Sequence, residues 1–383
     1  MKKFIAAILC AIIFITVVSG CNQTSPPDYM YEEQEEGLPA GDDVTESPDS
    51  SEFSFDAAFA TFPPDAVIMR AGGFDVTWGE FFFFLRDNVK YLLSVYGEIT
   101  DWSDSYFDDM TLSESVMRAT EENVLLFKAV QFGAELNDVT LSEDDLRAIR
   151  DDFDQTAEYL GGEEEFLKLL WEQDGFHNRE LLEYLMSISM LADNLFIRLY
   201  GEGGMLLSDD DVSLMTFSDG YLIAKHILRQ NTEESEDAAL AEIEDILAQL
   251  DAYNGDDFDA FFDELMFTHS ADTAGLMQFP EGYLFQYGNM VQSFYEATVA
   301  LEIGDYSRAV ESEHGYHIVY RLPINYDSVP NSLYMYGDYR TLRHYMAYIL
   351  FEMTMQGWQY DLDPEYTADY DLIDLSVMFA GAS

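Results

Sequence analysis

The stretch "GYLIAKHILRQ" (residues 220–230) decides the fold of the central part of the chain, because it alternates like a buried β-strand and contains a histidine, His226. The stretch "EHGYHIVYRL" (residues 313–322) has the same character and contains His317. Alternate side chains of a strand share a face, so two such strands side by side would hold both imidazoles in one mostly apolar interior. Buried imidazoles need hydrogen-bond partners, which predicts that each is satisfied by the other or by a third polar group.

The segment between these two stretches alternates short strands with helices. The predicted elements are a strand at 221–229, helices at 235–253 and 257–267, an irregular loop at 268–288, a helix at 289–297, and strands at 308–312 and 316–322. This order predicts a compact α+β module at residues 219–323.

The flanking sequence is helical in pattern. "DAVIMRAGGFDVTW" (65–78) predicts a hairpin, and the apolar spacing after it predicts a helix followed by others near 113–136, 142–158, 163–171, 178–200 and 209–218. Thr111 with Glu114, and Thr140 with Glu143, have the spacing of capping boxes. "SLYMYGDYRTLRHYMAYILFEMTMQGW" (332–358) predicts a further long helix that packs back on the N-terminal ones. The predicted fold class is α+β: a mainly helical domain at 65–218, completed by residues 324–383, with the α+β module inserted.

Composition excludes some functions. The 383 residues include 74 Asp and Glu against 18 Lys and Arg, a formal net charge of −56. Such a chain repels nucleic acid, so we expect no nucleic-acid partner. A hydrophobic content of 48% allows two or three domains with sizeable cores.

The first residues predict the compartment. Lys2 and Lys3 precede an apolar run, and "VSGC" ends at Cys21, which resembles the lipobox of bacterial lipoproteins. We expect a signal peptide at 1–20, lipidation of Cys21, and a disordered acidic tether at 21–64. The protein would then sit on the extracytoplasmic face of the bacterial cell membrane, held by lipid, with no second cysteine for an internal disulfide.

Four stretches of the module resemble, in order and spacing, the parvulin-type peptidyl-prolyl cis/trans isomerases. They are "AKHIL", "HSADTAG", "GNMVQSFYEATVALEIGDYS" and "VESEHGYHIVYRL". The wider order of lipobox, acidic tether, helical domain and inserted module resembles the PrsA and SurA families of extracytoplasmic foldases. The resemblance implies an enzyme that accelerates rotation about X–Pro amides in unfolded or newly secreted proteins, with no cofactor and no metal.

The resemblance also assigns residues to roles. His226 and His317 match the paired histidines of parvulins, Asp272 matches a position held there by cysteine or aspartate, and Ser312 stands where a Ser or Thr extends the network. The proline pocket is implied by three apolar residues, Met290, Phe294 and the less closely matched Phe285.

Two departures from the family pattern bear on activity and specificity. Parvulins usually carry "GG-x-L-G-x-F" after the aspartate or cysteine position, where this chain has "AGLMQFPEGYLF" (274–285). The alternative to an isomerase is therefore a holdase chaperone whose parvulin module is inactive. In "RQNTEESEDAA" (229–239), Arg229 stands alone among acids, which argues against recognition of a phosphorylated residue before proline.

Other classes fit less well. A solute-binding lipoprotein would show two α/β lobes, a pattern that this chain lacks. Metal binding could use His226, His269, His314 and His317, but "HGYH" would direct His314 and His317 to opposite faces of a strand. The sequence does not identify the client proteins and leaves open whether the chain forms a homodimer.

Overall fold

The computed structural model describes residues 55–97, 99–107, 110–218, 220–231, 236–327 and 341–379. These residues form two compact units: the first runs to Leu195 and resumes at Met353, and the second runs from Phe196 to Glu352. The predicted signal peptide, Cys21 and most of the predicted tether lie outside the described residues.

The helices and strands are numbered in chain order. The helices are α1 (Phe55–Phe59), α2 (Trp78–Tyr96), α3 (Leu112–Leu136), α4 (Glu143–Tyr159), α5 (Glu163–Asp174), α6 (Arg179–Tyr200), α7 (Asp209–Ser218), α8 (Glu236–Ala252), α9 (Phe258–His269), α10 (Thr273–Gln278), α11 (Gln292–Ala300), α12 (Leu342–Asp361) and α13 (Leu375–Met378). The strands are β1 (Val67–Ala71), β2 (Phe74–Thr77), β3 (Ser105–Phe107), β4 (Met110–Thr111), β5 (Leu222–Gln230), β6 (Tyr283–Phe285), β7 (Val310–Ser312), β8 (Gly315–Arg321) and β9 (Glu365–Tyr366).

The first unit is helical around a small hairpin, as the sequence predicts. β1 and β2 pair through the Gly72–Gly73 turn, in which both glycines have positive φ. α2 begins at the N-cap Thr77, and its "FFFF" run is buried on all sides by neighbouring elements. Ordered structure is already present in the last residues of the predicted tether, because Phe59 of α1 packs its ring 5.1 Å from that of Phe82.

The two predicted capping boxes have different outcomes. Thr111 and Glu114 form a complete capping box at the start of α3, which confirms that prediction. The Thr140–Glu143 prediction is wrong, since α4 is capped by Ser142 and Asp145. The same chemistry recurs two residues later, and this start places an acidic residue at each of the first three helical positions, where the helix dipole favours negative charge.

The C-terminal part of the chain returns to the first unit, as the predicted fold class has it. β9 extends the hairpin sheet by pairing with β1, and the Thr367 backbone N–H donates to the Ile68 carbonyl at 2.9 Å. The end of α12 packs closely on α3, because the Trp358 ring covers Gly133 at a distance that leaves no room for a Cβ.

The second unit is built on a four-stranded antiparallel sheet in the order β6-β5-β8-β7. One face packs on α8 and α9 through a core that contains Ile227 and Ile318. The opposite face packs on α11 through Phe294. The unit's two ends meet, since the rings of Phe196 on α6 and Phe351 on α12 lie 5.6 Å apart.

One stretch of the second unit differs from its prediction. The sequence predicts an irregular loop at 268–288, whereas the structure places α10 and β6 there. β6 pairs with the outer edge of β5 over only three residues, so a tertiary contact stabilises it rather than a pattern of its own. Among the described helices, none is long and apolar enough to cross a membrane.

Candidate active site

The two histidines meet across the central strand pair. β5 and β8 are antiparallel, with His226 opposite Val319 and His317 opposite Leu228, so the imidazoles are diagonal neighbours on one face. Their Nδ1 atoms lie 3.1 Å apart, and the rings are nearly parallel. Both residues are buried, at 7% and 3% exposure, so each imidazole depends mainly on protein groups for its hydrogen bonds.

Asp272 lies at the outer end of this pair. It caps α10, where its Oδ1 accepts the Gly275 backbone N–H at 3.0 Å. Its Oδ2 lies 2.8 Å from the His226 Nε2. This hydrogen bond is the main reason that the pKa of Asp272 lies well below its usual range, although partial burial opposes it. Asp272 is therefore a carboxylate, which can only accept hydrogen bonds.

Tyr283 is a member of the cluster that the sequence interpretation missed. Its hydroxyl donates to the Asp272 Oδ2 at 2.5 Å, and its ring stands edge-on to His226. Burial, reinforced by Asp272, raises the pKa of the Tyr283 phenol, so the proton stays on the oxygen that donates. The available signal was the alternation of "YLF", which is too short to predict a strand.

Ser312 lies at the inner end of the chain of hydrogen bonds. It ends β7, and its Oγ lies 2.6 Å from the His317 Nε2. Burial, with charge on His226 and His314 as further causes, lowers the pKa of His317 to about 3. His317 is consequently a neutral imidazole near pH 7.

These contacts determine the direction of each hydrogen bond once the number of protons on His226 is given. Because Asp272 only accepts, the His226 Nε2 must carry a hydrogen. In a neutral His226 the Nδ1 then accepts from the His317 Nδ1–H, and the His317 Nε2 accepts from the Ser312 hydroxyl. A second proton on His226 would turn its Nδ1 into a donor and reverse each bond as far as Ser312. The four predicted polar residues are thus brought together in one ordered chain.

A cavity of about 490 Å³ opens beside this chain. Both imidazoles, Asp272 and Tyr283 form its polar wall, whereas Met290 and Phe294 form an apolar one. The Phe294 ring stands edge-on to both histidines, with centroids 5.4 and 5.8 Å away.

Phe285 does not line the cavity, which corrects its expected place as a third wall. It is 2% exposed and packs against the Phe294 ring, with the centroids 5.6 Å apart. The residue therefore supports Phe294 from behind. Its position on β6, two residues beyond Tyr283, takes it past the cavity and into the core.

His314 also differs from its prediction. It lies in the turn between β7 and β8 rather than on a strand, so it lines the same cavity as His317 instead of facing the opposite way. His314 is exposed, with its side chain 58% accessible. Over the described ranges, no group of three or more His, Cys, Asp or Glu side chains is placed to hold a metal ion.

Arg229 is occupied outside the cavity. Its Nη1 donates to the His269 carbonyl at 2.6 Å, and its Nη2 pairs with Glu242. The residues that line the cavity include no lysine or arginine in the part of the chain that the structure describes.

Comparison with known proteins identifies the domain that carries this cavity. Residues 214–321 match the family model of the PPIC-type peptidyl-prolyl isomerase domain. Over 201 residues the chain is 27% identical to the foldase protein PrsA of Oceanobacillus iheyensis. This alignment covers 52% of this chain and 58% of that relative.

Two solved structures are also similar. The peptidyl-prolyl isomerase PrsA of Bacillus anthracis is 20% identical and covers 62% of this chain and 96% of its own, with a TM-score of 0.26. PrsA of Bacillus cereus is 16% identical and covers 73% and 99%, with a TM-score of 0.30. Because these scores are low, the assignment rests on the family model. The matched residues include every member of the hydrogen-bonded chain described above. Residues 214–321 are a peptidyl-prolyl cis/trans isomerase domain of the PPIC, or parvulin, type.

Proposed function

We propose that this protein is a foldase that isomerises X–Pro bonds in unfolded or newly secreted proteins. The observation that carries the proposal is the cavity in which an apolar wall, Met290 and Phe294, faces the ordered chain from Asp272 to Ser312. A proline ring fits the apolar wall, and its preceding amide would then lie against the polar one.

Isomerisation of an X–Pro bond requires no nucleophile and no metal ion. Rotation about an X–Pro amide faces a barrier of about 18–20 kcal/mol because resonance stiffens the C–N bond. Uncatalysed exchange takes on the order of 10–100 s, slow enough to limit folding. No covalent bond is broken, so the site need only bind the twisted amide better than the planar one.

In this proposal Met290 and Phe294 hold the pyrrolidine ring, and the polar residues fix the shape and polarity of the wall facing the amide. Asp272 is not a nucleophile here, because Tyr283, His226 and the Gly275 amide already donate to its oxygens. Ser312 is similarly engaged with His317. These groups act by holding the imidazoles in one orientation and one protonation pattern.

The residue before the proline is proposed to be unphosphorylated. With Arg229 engaged elsewhere, the described cavity wall offers Asp272 and no Lys or Arg, so a phosphate dianion would be repelled there.

The cellular setting follows from the sequence resemblance. The signal peptide at 1–20 and a lipid on Cys21 would tether the protein to the extracytoplasmic face of the membrane, with the acidic segment from 21 as spacer. The helical first unit would hold unfolded segments while the isomerase domain acts on their prolines. A homodimer stays part of this proposal. The chain spans 58% of the length of the curated relative that it matches, so these whole-protein properties are proposals.

The alternative is a holdase whose isomerase module is inactive, which the altered stretch at 274–285 favours. NMR exchange spectroscopy on a short X–Pro peptide separates the two. We expect the wild-type chain to accelerate exchange and His226→Ala and Met290→Ala to lose most of the acceleration. Matched controls are His269→Ala and the exposed Met277→Ala, which should retain it. A folded wild-type chain that gives no acceleration would contradict the isomerase and favour the holdase.

A further inference from the structure

The first unit contains a cavity of its own, of about 430 Å³. It lies between the start of α2, the C-terminal half of α3 and the start of α6. None of its lining residues belongs to the isomerase domain, and the proposed catalytic chemistry makes no use of it.

A buried ion pair forms its inner wall. The Lys128 Nζ donates to the Glu80 Oε2 at 2.9 Å, and the two side chains are 3% and 5% exposed. The same Nζ donates to the Tyr184 hydroxyl at 2.8 Å. Burying two charges is costly unless hydrogen bonds satisfy their remaining donors and acceptors. Donors on this wall that lack an acceptor are therefore places where a ligand could bind.

Two donors on this wall, Lys128 and Gln131, have hydrogen-bonding capacity that the described residues do not use. Lys128 has three protons but only two acceptors among the described residues. The Gln131 Oε1 accepts from the Tyr184 hydroxyl at 2.9 Å, which leaves the Nε2 of the amide without a hydrogen-bond partner among the described residues. A ligand carbonyl would accept from the spare donors of Lys128 and Gln131.

His177 is a further polar residue of the cavity wall. Its Nδ1 is buried and has no hydrogen-bond partner among the described residues. Burial lowers the pKa of His177, so the ring is neutral and one of its nitrogens offers a lone pair. The ring lies directly on the backbone of Gly79, where an added Cβ would be 2.3 Å from its Cε1. This packing closes off the Nδ1, so a ligand in the cavity would contact the part of the His177 ring that lines it.

The mouth of the cavity carries unpaired negative charge. Asp65 and Glu180 are exposed and form no hydrogen bond or ion pair with the described residues, whereas Asp75 beside them is held by Arg70 at 2.7 Å. Two free carboxylates at the mouth repel an anionic ligand and attract a cationic one.

We propose that this cavity is a peptide-binding site for an extended segment that carries a basic side chain. The backbone amides of the segment meet Lys128, Gln131 and His177 on the inner wall, and its lysine or arginine meets Asp65 and Glu180 at the mouth. The inference deepens the proposed client-binding role of the first unit and rests on that function, but it does not require the isomerase to be active.

The test uses the full chain and the pentapeptide Gly-Ala-Arg-Ala-Gly amide, which contains no proline and carries fluorescein on its N-terminal amine. Analogues carry Gln or Glu in place of Arg. Fluorescence anisotropy should show the Arg peptide binding about tenfold more tightly than the Gln peptide, with the Glu peptide weakest. The double variant Asp65→Asn, Glu180→Gln should reduce the Arg-to-Gln preference to less than about twofold.

The matched control is Asp151→Asn, Glu164→Gln, which removes the same charge from exposed positions of the same unit that lie outside the cavity. It should leave the preference intact. Equal binding of the Arg and Gln peptides by wild type, or no binding of either, would overturn the proposal. So would a preference that the control variant loses as fully as the cavity variant, since the attraction would then be diffuse.

A second measurement locates the ligand and separates this site from the isomerase. In a ¹⁵N-histidine-labelled chain, the Arg peptide should shift the His177 ring-nitrogen signals; binding without that shift would overturn the assignment. X–Pro exchange measured on the same variants should be unchanged. A chain that binds the Arg peptide at His177 but lacks isomerase activity would refute the proposed catalysis and leave this site standing.

Discussion

The two faces of the β5–β8 strand pair differ sharply although they share one backbone. On the closed face, Ile227 and Ile318 are fully buried beneath α8 and α9. On the open face, the adjacent residues His226 and His317 border a cavity and form an ordered polar chain. Successive side chains of a strand point to opposite faces, so neighbouring residues have different roles. One face stabilises the unit, and the other is available to bind a ligand.

Polar groups on the closed face are paired within the protein, whereas those on the open face line a cavity. On the closed side, Lys225 is 7% exposed and pairs with Asp263 at 2.7 Å, which ties α9 to β5. That pair is satisfied within the protein. On the open side, Asp272 and Tyr283 end at a cavity wall, where a ligand would meet them. Substitutions on the closed face should therefore change stability, and those on the open face should change catalysis.

The largest effect should come from Ile318→Ala. Truncating a fully buried isoleucine removes apolar contacts and leaves a cavity, so the free energy of unfolding of the second unit should fall by about 2–5 kcal/mol. Urea denaturation measures it, and Ile318→Val, expected to cost about 0.5–1.5 kcal/mol, is the graded control. The kcat/KM of the molecules still folded should match wild type; a tenfold loss there would break the division between the faces.

The second largest effect should be a fall in the free energy of unfolding at acid pH, caused by protonation of His317 on the open face. The pKa of His317 is about 3 in the folded chain, below the usual 6.5, so the unfolded state binds more protons between these values. The stability that this residue contributes is present above pH 6.5 and is lost as the pH falls, at about 1.4 kcal/mol per pH unit near pH 5. Asp272, whose pKa is also lowered, adds a loss only at more acid pH.

Urea midpoints at pH 6, 5 and 4 measure this slope, and His317→Gln should flatten it relative to wild type. An unchanged slope in that variant would show that other groups dominate the acid response.

A smaller effect is expected for Asp272→Asn. An amide cannot accept from all three donors of the carboxylate, so the histidine orientation should loosen and kcat/KM for an X–Pro peptide should fall about tenfold, or about 1.4 kcal/mol. Asp263→Asn is the counterpart on the closed face, where stability should fall while kcat/KM stays within about twofold. Equal losses of activity in both variants would contradict the comparison.

The smallest effect should be that of Tyr283→Phe. It removes one donor to Asp272 and leaves the ring in place, so we expect about a threefold loss of kcat/KM. Tyr320→Phe removes the corresponding phenol from the closed face, where it donates to Asp259, and should leave activity unchanged. Peptide exchange by NMR measures both, and a larger loss in Tyr320→Phe would reverse the assignment of the faces.

How far the sequence predicts this site depends on how long each element is. The strands around His226 and His317 are nine and seven residues long, and their alternation predicts both strands and their shared face. β6 has three residues, too few for a period, and forms because its partner β5 is already in place. Tyr283 escaped prediction for that reason.

The other misplacements have a similar origin. Phe285 matches an apolar family position, but whether such a residue lines a cavity or supports another ring depends on packing that spacing does not encode. The spacing in "HGYH" predicts opposite faces for His314 and His317 only if both lie on one strand, whereas His314 lies in the two-residue turn between β7 and β8. Local pattern gave the elements, and tertiary contacts decided which side chains reach the cavity.

The return of the chain to β1 has a consequence for the order of folding. The Ile68 carbonyl accepts from the Thr367 hydroxyl, a contact between residues 299 apart in sequence. The first unit cannot be completed until almost the whole described chain has been synthesised. A second unit that folds beforehand brings Phe196 and Phe351 together and roughly halves the loop still to be closed, which lowers the closure cost by about 0.6 kcal/mol. We therefore expect the isomerase domain to fold while β1 still presents an unpaired edge, so β9 arrives as the closing strand of an otherwise assembled protein.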